Sequence, residues 1–320
     1  MSCWVCGDGP RRTRTGQLLH QGCGCRGSAG VAHLPCLVEA AAHNPETWQS
    51  CPTCLHDFSG VLQLGLARAH WQEARGFPPE DEERLAAADR YGGALLAARD
   101  YAGALPLLEE VLAVSRQVDG DDDINTCVSM CNLAALLSDM GRPRRALPLL
   151  EEALATQRRT LGGEHTDSVR TAGNLAVLHM DMGELQRSKP LMEQACATWR
   201  RVAGAEDVDT LTAVHNLAML NWHMAHGRFV SFDDVAGYDG PCDMVQLLAS
   251  AQLLREAAEG RRRMLGAGHS QSDLSQRCLE RAEGRIAAVQ RAEREGTLYS
   301  RLAKRRRWER EGGGAGAGAA

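Results

Sequence analysis

The chain has 320 residues, 44% of them apolar and 24% charged, so it can bury cores in two or three domains and is not disordered throughout. Only 4% are aromatic while alanine, leucine and glycine abound, a balance that favours packed helices over a sheet-rich fold. A formal net charge of −5 argues against nucleic acid as a partner of the whole molecule, and no long charge-free apolar run is present to span a membrane.

No apolar signal segment precedes Cys3, so a reducing compartment, the cytoplasm, is expected. Seven of the twelve cysteines fall within the first 54 residues; Cys127, Cys131, Cys196, Cys242 and Cys278 are scattered through the rest as small hydrophobes. The early ones come in tight pairs with a histidine: Cys3-x-x-Cys6, Cys23-x-Cys25, His33-x-x-Cys36 and Cys51-x-x-Cys54. Such pairs read as metal ligands rather than as a disulfide framework, because a short gap lets both side chains reach one ion. Eight ligands suffice for two tetrahedral Zn2+ sites, and a segment with few large hydrophobes draws much of its folding energy from them. His20 and His43 are competing ligands, and spacing alone leaves the pairing of the eight open.

One residue between Cys23 and Cys25, seven between Cys25 and His33, and the string Gly22 to Ala29 resemble the RING-CH (RING-variant, MARCH-type) finger. The resemblance implies a cross-brace, with Cys3, Cys6, His33 and Cys36 on one zinc and Cys23, Cys25, Cys51 and Cys54 on the other. It also implies a ubiquitin-protein ligase that docks a ubiquitin-conjugating enzyme charged with ubiquitin and forms no covalent intermediate itself. Val5 matches the family's apolar docking position, with Leu37, Trp48 and Pro52 as the other members of that surface. Ala40 stands where MARCH-type proteins often carry tryptophan, and Leu55 follows Cys54 where many active RING domains place a basic residue nearby. PHD fingers share much of the ligand order, but usually have a longer gap between the third and fourth cysteines and an aromatic two positions before the seventh ligand. Here Trp48 precedes Cys51 by three.

The finger is expected over residues 1–58, and residues 59–81 read as a linker with a short helix, Val61 to His70, closed by Gly76 and Pro78-Pro79. Beyond it the chain repeats. Asn132-Leu133-Ala134 recurs at Asn174 and at Asn216 in steps of 42 residues, and Pro106, Pro148 and Pro190 keep the same period. Each unit holds two helical patterns, Thr126 to Asp139 and Pro143 to Arg159 in the clearest copy, with Gly141 at the reversal and Pro148 expected to bend the second slightly. Asn132, Ala134, Gly141, Ala146, Leu150 and Ala153 fit a tetratricopeptide repeat. The period, the Asn-Leu-Ala string and Arg158 to His165 resemble the longer repeats of kinesin light chains, over residues 82–280. The first copy is degenerate, with Tyr91-Gly92 in place of Leu-Ala.

The fourth second-helix, Leu253 to Met264, comes about 20 residues late, which places an insertion near 227–244. Residues 281–311 read as capping helices, Asp273 to Glu295 and Thr297 to Arg310, and 312–320 as a disordered Gly/Ala tail. The run Lys304 to Arg307 is compatible with nuclear import or with a solvated helix face. The expected architecture is thus a zinc-stabilised cross-brace domain followed by an all-α tetratricopeptide-repeat solenoid. Its expected function is ubiquitin ligation, with the repeats holding a protein substrate; the alternative is a non-catalytic interaction scaffold with a structural or PHD-like finger. Asn132, Asn174 and Asn216 fall in the middle of apolar first helices, where a buried amide must find a partner. Either each ties one repeat to the next, or together they line a groove and bond a peptide backbone.

Overall fold

A computed structural model of the protein describes residues 5, 20–21, 31–52, 58, 60–227, 242–266 and 269–294. The chain divides into two compact units, residues 1–163 and 164–320.

The first unit opens on two short antiparallel strands, β1 (His20–Gln21) and β2 (Val31–Ala32), with His20 opposite Ala32. Helix α1 (Leu34–His43) follows, then a 3-10 turn over Pro45–Trp48 whose N-terminus is capped by the Asn44 side chain on Glu46 N–H. Helix α2 spans Gly60–Ala74, longer than the expected Val61–His70 and no linker. Its Leu62 and Leu66 enter one core with Ala32, Leu37, Ala41, Trp48, Cys51 and Phe58, all buried. This segment of few large hydrophobes therefore gains apolar burial by enlisting α2. Two-helix repeats then begin with α3 (Glu82–Ala97) and α4 (Tyr101–Val118), followed by α5 (Ile124–Asp139) and α6 (Pro143–Thr160).

The second unit holds α7 (Thr166–Asp181), α8 (Leu185–Val202), α9 (Val208–Ala225), α10 (Met244–Leu265) and α11 (Ser270–Arg294). The period is visible in its punctuation. The N-caps of α3, α5, α7 and α9 are Asp81, Asp123, His165 and Asp207, and each side chain accepts a backbone N–H of the first turn. His269 plays the same part at α11: Gln271 N–H donates to its Nδ1 at 3.3 Å, as Asp167 N–H does to His165 Nδ1 at 3.3 Å. Helix α11 thus starts with the same cap geometry as the first helices of the repeats, close to the expected Asp273. The expected helix over Thr297 to Arg310 lies outside the described residues.

Proline occupies the sixth position of α4, α6 and α8 without ending any of them. So near the start of a helix its missing N–H removes few bonds. Where helices cross, the residues are small: Ala104, Ala134, Ala146, Ala176 and Ala218 are all fully buried.

The insertion can be measured from equivalent bonds. Ser188 Oγ donates to Ala176 O across 12 residues at 2.7 Å, and Ser250 Oγ donates to Ala218 O across 32 residues at 2.8 Å. Likewise Arg116 reaches Glu152 across 36 residues and Arg200 reaches Glu256 across 56. Both comparisons give 20 extra residues. Part of the insertion lengthens α10 at its start; residues 228–241 lie outside the described residues.

Candidate functional site

Of the eight metal-ligand positions, His33, Cys36 and Cys51 are described, while Cys3, Cys6, Cys23, Cys25 and Cys54 lie outside the described residues. His33 follows β2 directly and forms the N-cap of α1; Pro35 in the first turn and the bond from Leu37 N–H to His33 O at 3.1 Å fix the helix start. That turn brings Cys36 Sγ to 3.8 Å from His33 Nδ1. Zinc bonds of about 2.0 Å to nitrogen and 2.3 Å to sulfur, at a tetrahedral angle, separate the two donors by about 3.6 Å. The pair therefore fits one ion. Cys51 is fully buried in the core shared with α2. Among the described residues no group of three or more His, Cys, Asp or Glu is gathered tightly enough to hold a metal. His20 lies in β1, and His43 is exposed at the end of α1.

Two of the four expected docking residues are interior. Leu37 is fully buried and Trp48 is 5% exposed, because α1 and the 3-10 turn present these large apolar side chains to α2. Val5 and Pro52 are exposed and remain available to a partner.

Trp48 stacks on the His70 ring of α2, centroids 4.7 Å apart and planes 13° from parallel. His70 Nδ1 accepts from Arg90 Nη1 at 2.6 Å, so its proton sits on Nε2, which donates to Glu83 Oε1. Burial lowers the His70 pKa, partly offset by the Glu83 hydrogen bond and reinforced by Arg90. One imidazole thus joins α2 to α3 beneath the indole. Nothing in the repeat pattern marks His70, because it lies before the first repeat.

A groove of about 940 Å³ opens over this joint within the first unit. Trp48, Phe58 and Gln63 line one side, and α3, the end of α4 and the start of α5 line the rest. Four carboxylates face it, Glu80, Glu82, Asp89 and Asp119, with Arg90 as its one basic side chain among the described residues. Asn132 is half-buried in its lining, and its amide donates to both oxygens of Asp89, at 2.8 and 2.7 Å. Burial raises the Asp89 pKa, while the Asn132 hydrogen bond and Arg90 oppose that rise.

The three asparagines therefore differ. Asn132 ties α5 to α3. Asn174 is exposed and Asn216 half-buried, and neither has a side-chain hydrogen bond among the described residues. The position 43 residues before Asn132 is Asp89, but the position 43 before Asn216 is Gly173, which offers no side chain. Asp89 itself was legible only as a charge among the alanines of α3.

Residues 83–159 and 169–209 match two family models of the tetratricopeptide repeat. The helices within those two spans are tetratricopeptide repeats. No curated protein matches the chain significantly. Among solved structures, the chain is similar to the nearly identical tetratricopeptide-like repeats of a kinesin light chain candidate from Podosopora anserina. That match has 22% identity and TM-score 0.44, and covers 62% of this chain and 85% of the other. A second structure of those repeats matches at 21% identity and TM-score 0.43, over 64% and 88%. BtubC (BKLC) from P. vanneervenii matches at 18% identity and TM-score 0.46, over 72% and 91%. Tetratricopeptide repeats bind protein partners. Among the described residues no helix is long and apolar enough to cross a membrane.

Proposed function

We propose that the protein is a RING-CH-type ubiquitin-protein ligase. In this reading the N-terminal finger, with two structural Zn2+, docks a ubiquitin-conjugating enzyme carrying ubiquitin, and the repeats hold the substrate. The observation that carries it is the His33–Cys36 pair: donors 3.8 Å apart at the mouth of α1, in a segment whose cysteines recur in matching pairs. All eight positions would be filled by protein, which leaves no open position for an activated water and makes the metal structural. Catalysis would then rest on proximity: tethering places the charged enzyme and an acceptor lysine on one scaffold and raises their effective concentration. Val5 and Pro52 are the docking residues that this reading retains.

The burial of Leu37 and Trp48 favours a second reading, a scaffold whose finger mediates interaction without docking the enzyme. One assay separates the two. The purified full chain is incubated with activating enzyme, a panel of conjugating enzymes, ubiquitin and ATP, and zinc content is measured in the same preparation. Ubiquitin chains that depend on the protein, with two zinc per chain, support the ligase. Two zinc without discharge from any conjugating enzyme supports the scaffold, and zinc near zero in folded protein removes the finger assignment.

A further inference from the structure

The groove of the first unit has a chemical character that general protein binding does not require. Glu80, Glu82 and Asp119 are exposed in its walls and have no basic partner among the described residues. Several carboxylates elsewhere in the same unit are matched: Glu110 with Arg84, Glu152 and Asp121 with Arg116, and Glu109 with Arg145. The groove's own guanidinium, Arg90, donates to His70 and acts on Asp89. The lining also includes Val118 and Val128, 51% and 39% exposed, two of the few large apolar side chains that the described residues of this unit leave in water. Asn132 lines the groove with its Nδ2 held by Asp89, while its Oδ1 has no hydrogen bond among the described residues and can accept a backbone N–H.

Unmatched carboxylates around an apolar floor, with a free acceptor in the wall, complement cationic side chains carried on an extended backbone. We propose that this groove binds an extended, lysine- and arginine-rich segment of a partner protein. The inference rests on the reading that the repeats hold a protein partner, and it gives the chemistry of that partner. Lysine and arginine suit the site doubly, since their methylene stems cover the valines while their heads reach Glu80, Glu82 and Asp119.

The test is fluorescence anisotropy on the full chain, with a labelled peptide alternating lysine and alanine beside a glutamate–alanine and a serine–alanine peptide. The lysine peptide should bind, weaken as salt is raised, and lose about tenfold in affinity in the triple variant Glu80→Gln, Glu82→Gln, Asp119→Asn. These side chains are exposed and make no hydrogen bond among the described residues, and Asp119 ends α4 through its backbone N–H on Ser115 O, which Asp119→Asn keeps, so the variant should keep its melting temperature. Val128→Lys should abolish binding by placing a cation in the floor. If the serine or glutamate peptide binds equally well and Val128→Lys removes it, the groove reading stands and the basic class is overturned. Failure of every peptide to bind overturns both. Binding of the lysine peptide only after residues 295–320 are deleted makes the chain's own Arg301 to Arg310 stretch the occupant, and overturns the partner assignment.

Discussion

The indole of Trp48 lies flat on the imidazole of His70, with centroids 4.7 Å apart. Trp48 comes from the turn that precedes Cys51, and His70 from the helix that leads to the first repeat, so one stacked pair joins the N-terminal segment to α2. Trp48→Ala should cost about 3–5 kcal/mol, the range for truncating a buried aromatic, read as a lower urea midpoint for the first unit. His70→Ala and His70→Phe both remove the hydrogen bonds to Glu83 and Arg90, but only His70→Phe keeps an aromatic ring against Trp48. The phenylalanine variant should therefore be the more stable of the two. Equal stability would mean that the ring contact contributes little.

The degenerate first repeat makes two opposite forecasts about restoring its consensus. Arg99 has φ +60°, the left-handed region, where the later repeats place Gly141 and Gly183. It is exposed, so Arg99→Gly should relieve that strain and raise stability by about 1 kcal/mol. Gly92 stands where later repeats carry a buried alanine, and a Cβ there would lie 2.5 Å from Leu108 Cδ2. Leu108 is itself buried, at 1% exposure. Gly92→Ala gains helix propensity of about 1 kcal/mol but overpacks by about 1–3 kcal/mol, a net loss. Chemical denaturation of both variants checks the signs; stabilisation by Gly92→Ala would show that Leu108 repacks freely.

These two positions show what the sequence made legible. Period, caps and turn glycines recur every 42 residues because each repeat faces the same packing problem, so α5 and α6 fall within two residues of their expected bounds. The insertion was legible for the same reason, as a delay in a known rhythm. Helix α2 is legible only as a short helix over Val61–His70, because it precedes the first repeat and its buried face includes a histidine where a leucine would signal a core. The type of Leu37 and Trp48 and their place beside the ligand positions suggest docking residues, yet both are buried. Type alone cannot tell a surface aromatic from one covered by a helix arriving later in the chain.

The second unit should be acid-sensitive. Arg261, 3% exposed, donates to Ser275 Oγ at 2.7 Å, and the Ser275 hydroxyl in turn donates to His215 Nδ1 at 3.1 Å. His215 is therefore neutral with its proton on Nε2, and burial together with Arg261 lowers its pKa to about 4. His223 is lowered to about 4 as well, by burial and by His226. A histidine whose folded pKa is depressed contributes no pH dependence above the unfolded value. Its neutral-state stability is lost as pH falls from 6.5 towards 4. A shift of that size corresponds to roughly 3 kcal/mol per residue at most. The melting temperature should thus fall across that window, and His215→Gln should flatten the profile. A profile unchanged by His215→Gln would place the acid sensitivity elsewhere.

The three repeat asparagines separate stability from recognition. Asn132 holds Asp89, and Asp89 is partly desolvated with no other side-chain hydrogen bond among the described residues. Removing the amide leaves a carboxylate that burial already disfavours in its charged form. Asn132→Ala should therefore cost about 1–3 kcal/mol, the penalty for orphaning a buried polar group. Asp89→Ala removes the other half, and the double variant should lose less than the two single losses together, as coupled neighbours do. Asn174 has no such partner and is exposed, so Asn174→Ala should change stability by no more than about 0.5 kcal/mol. Urea melts of the four variants, read beside affinity for a partner recovered on the repeats, decide between clamp and groove at each position. Reduced affinity with an unchanged midpoint in Asn174→Ala assigns that amide to recognition. A midpoint lowered as far by Asn174→Ala as by Asn132→Ala would mean that both act as clamps, and that the Asp89 contact is not what distinguishes Asn132.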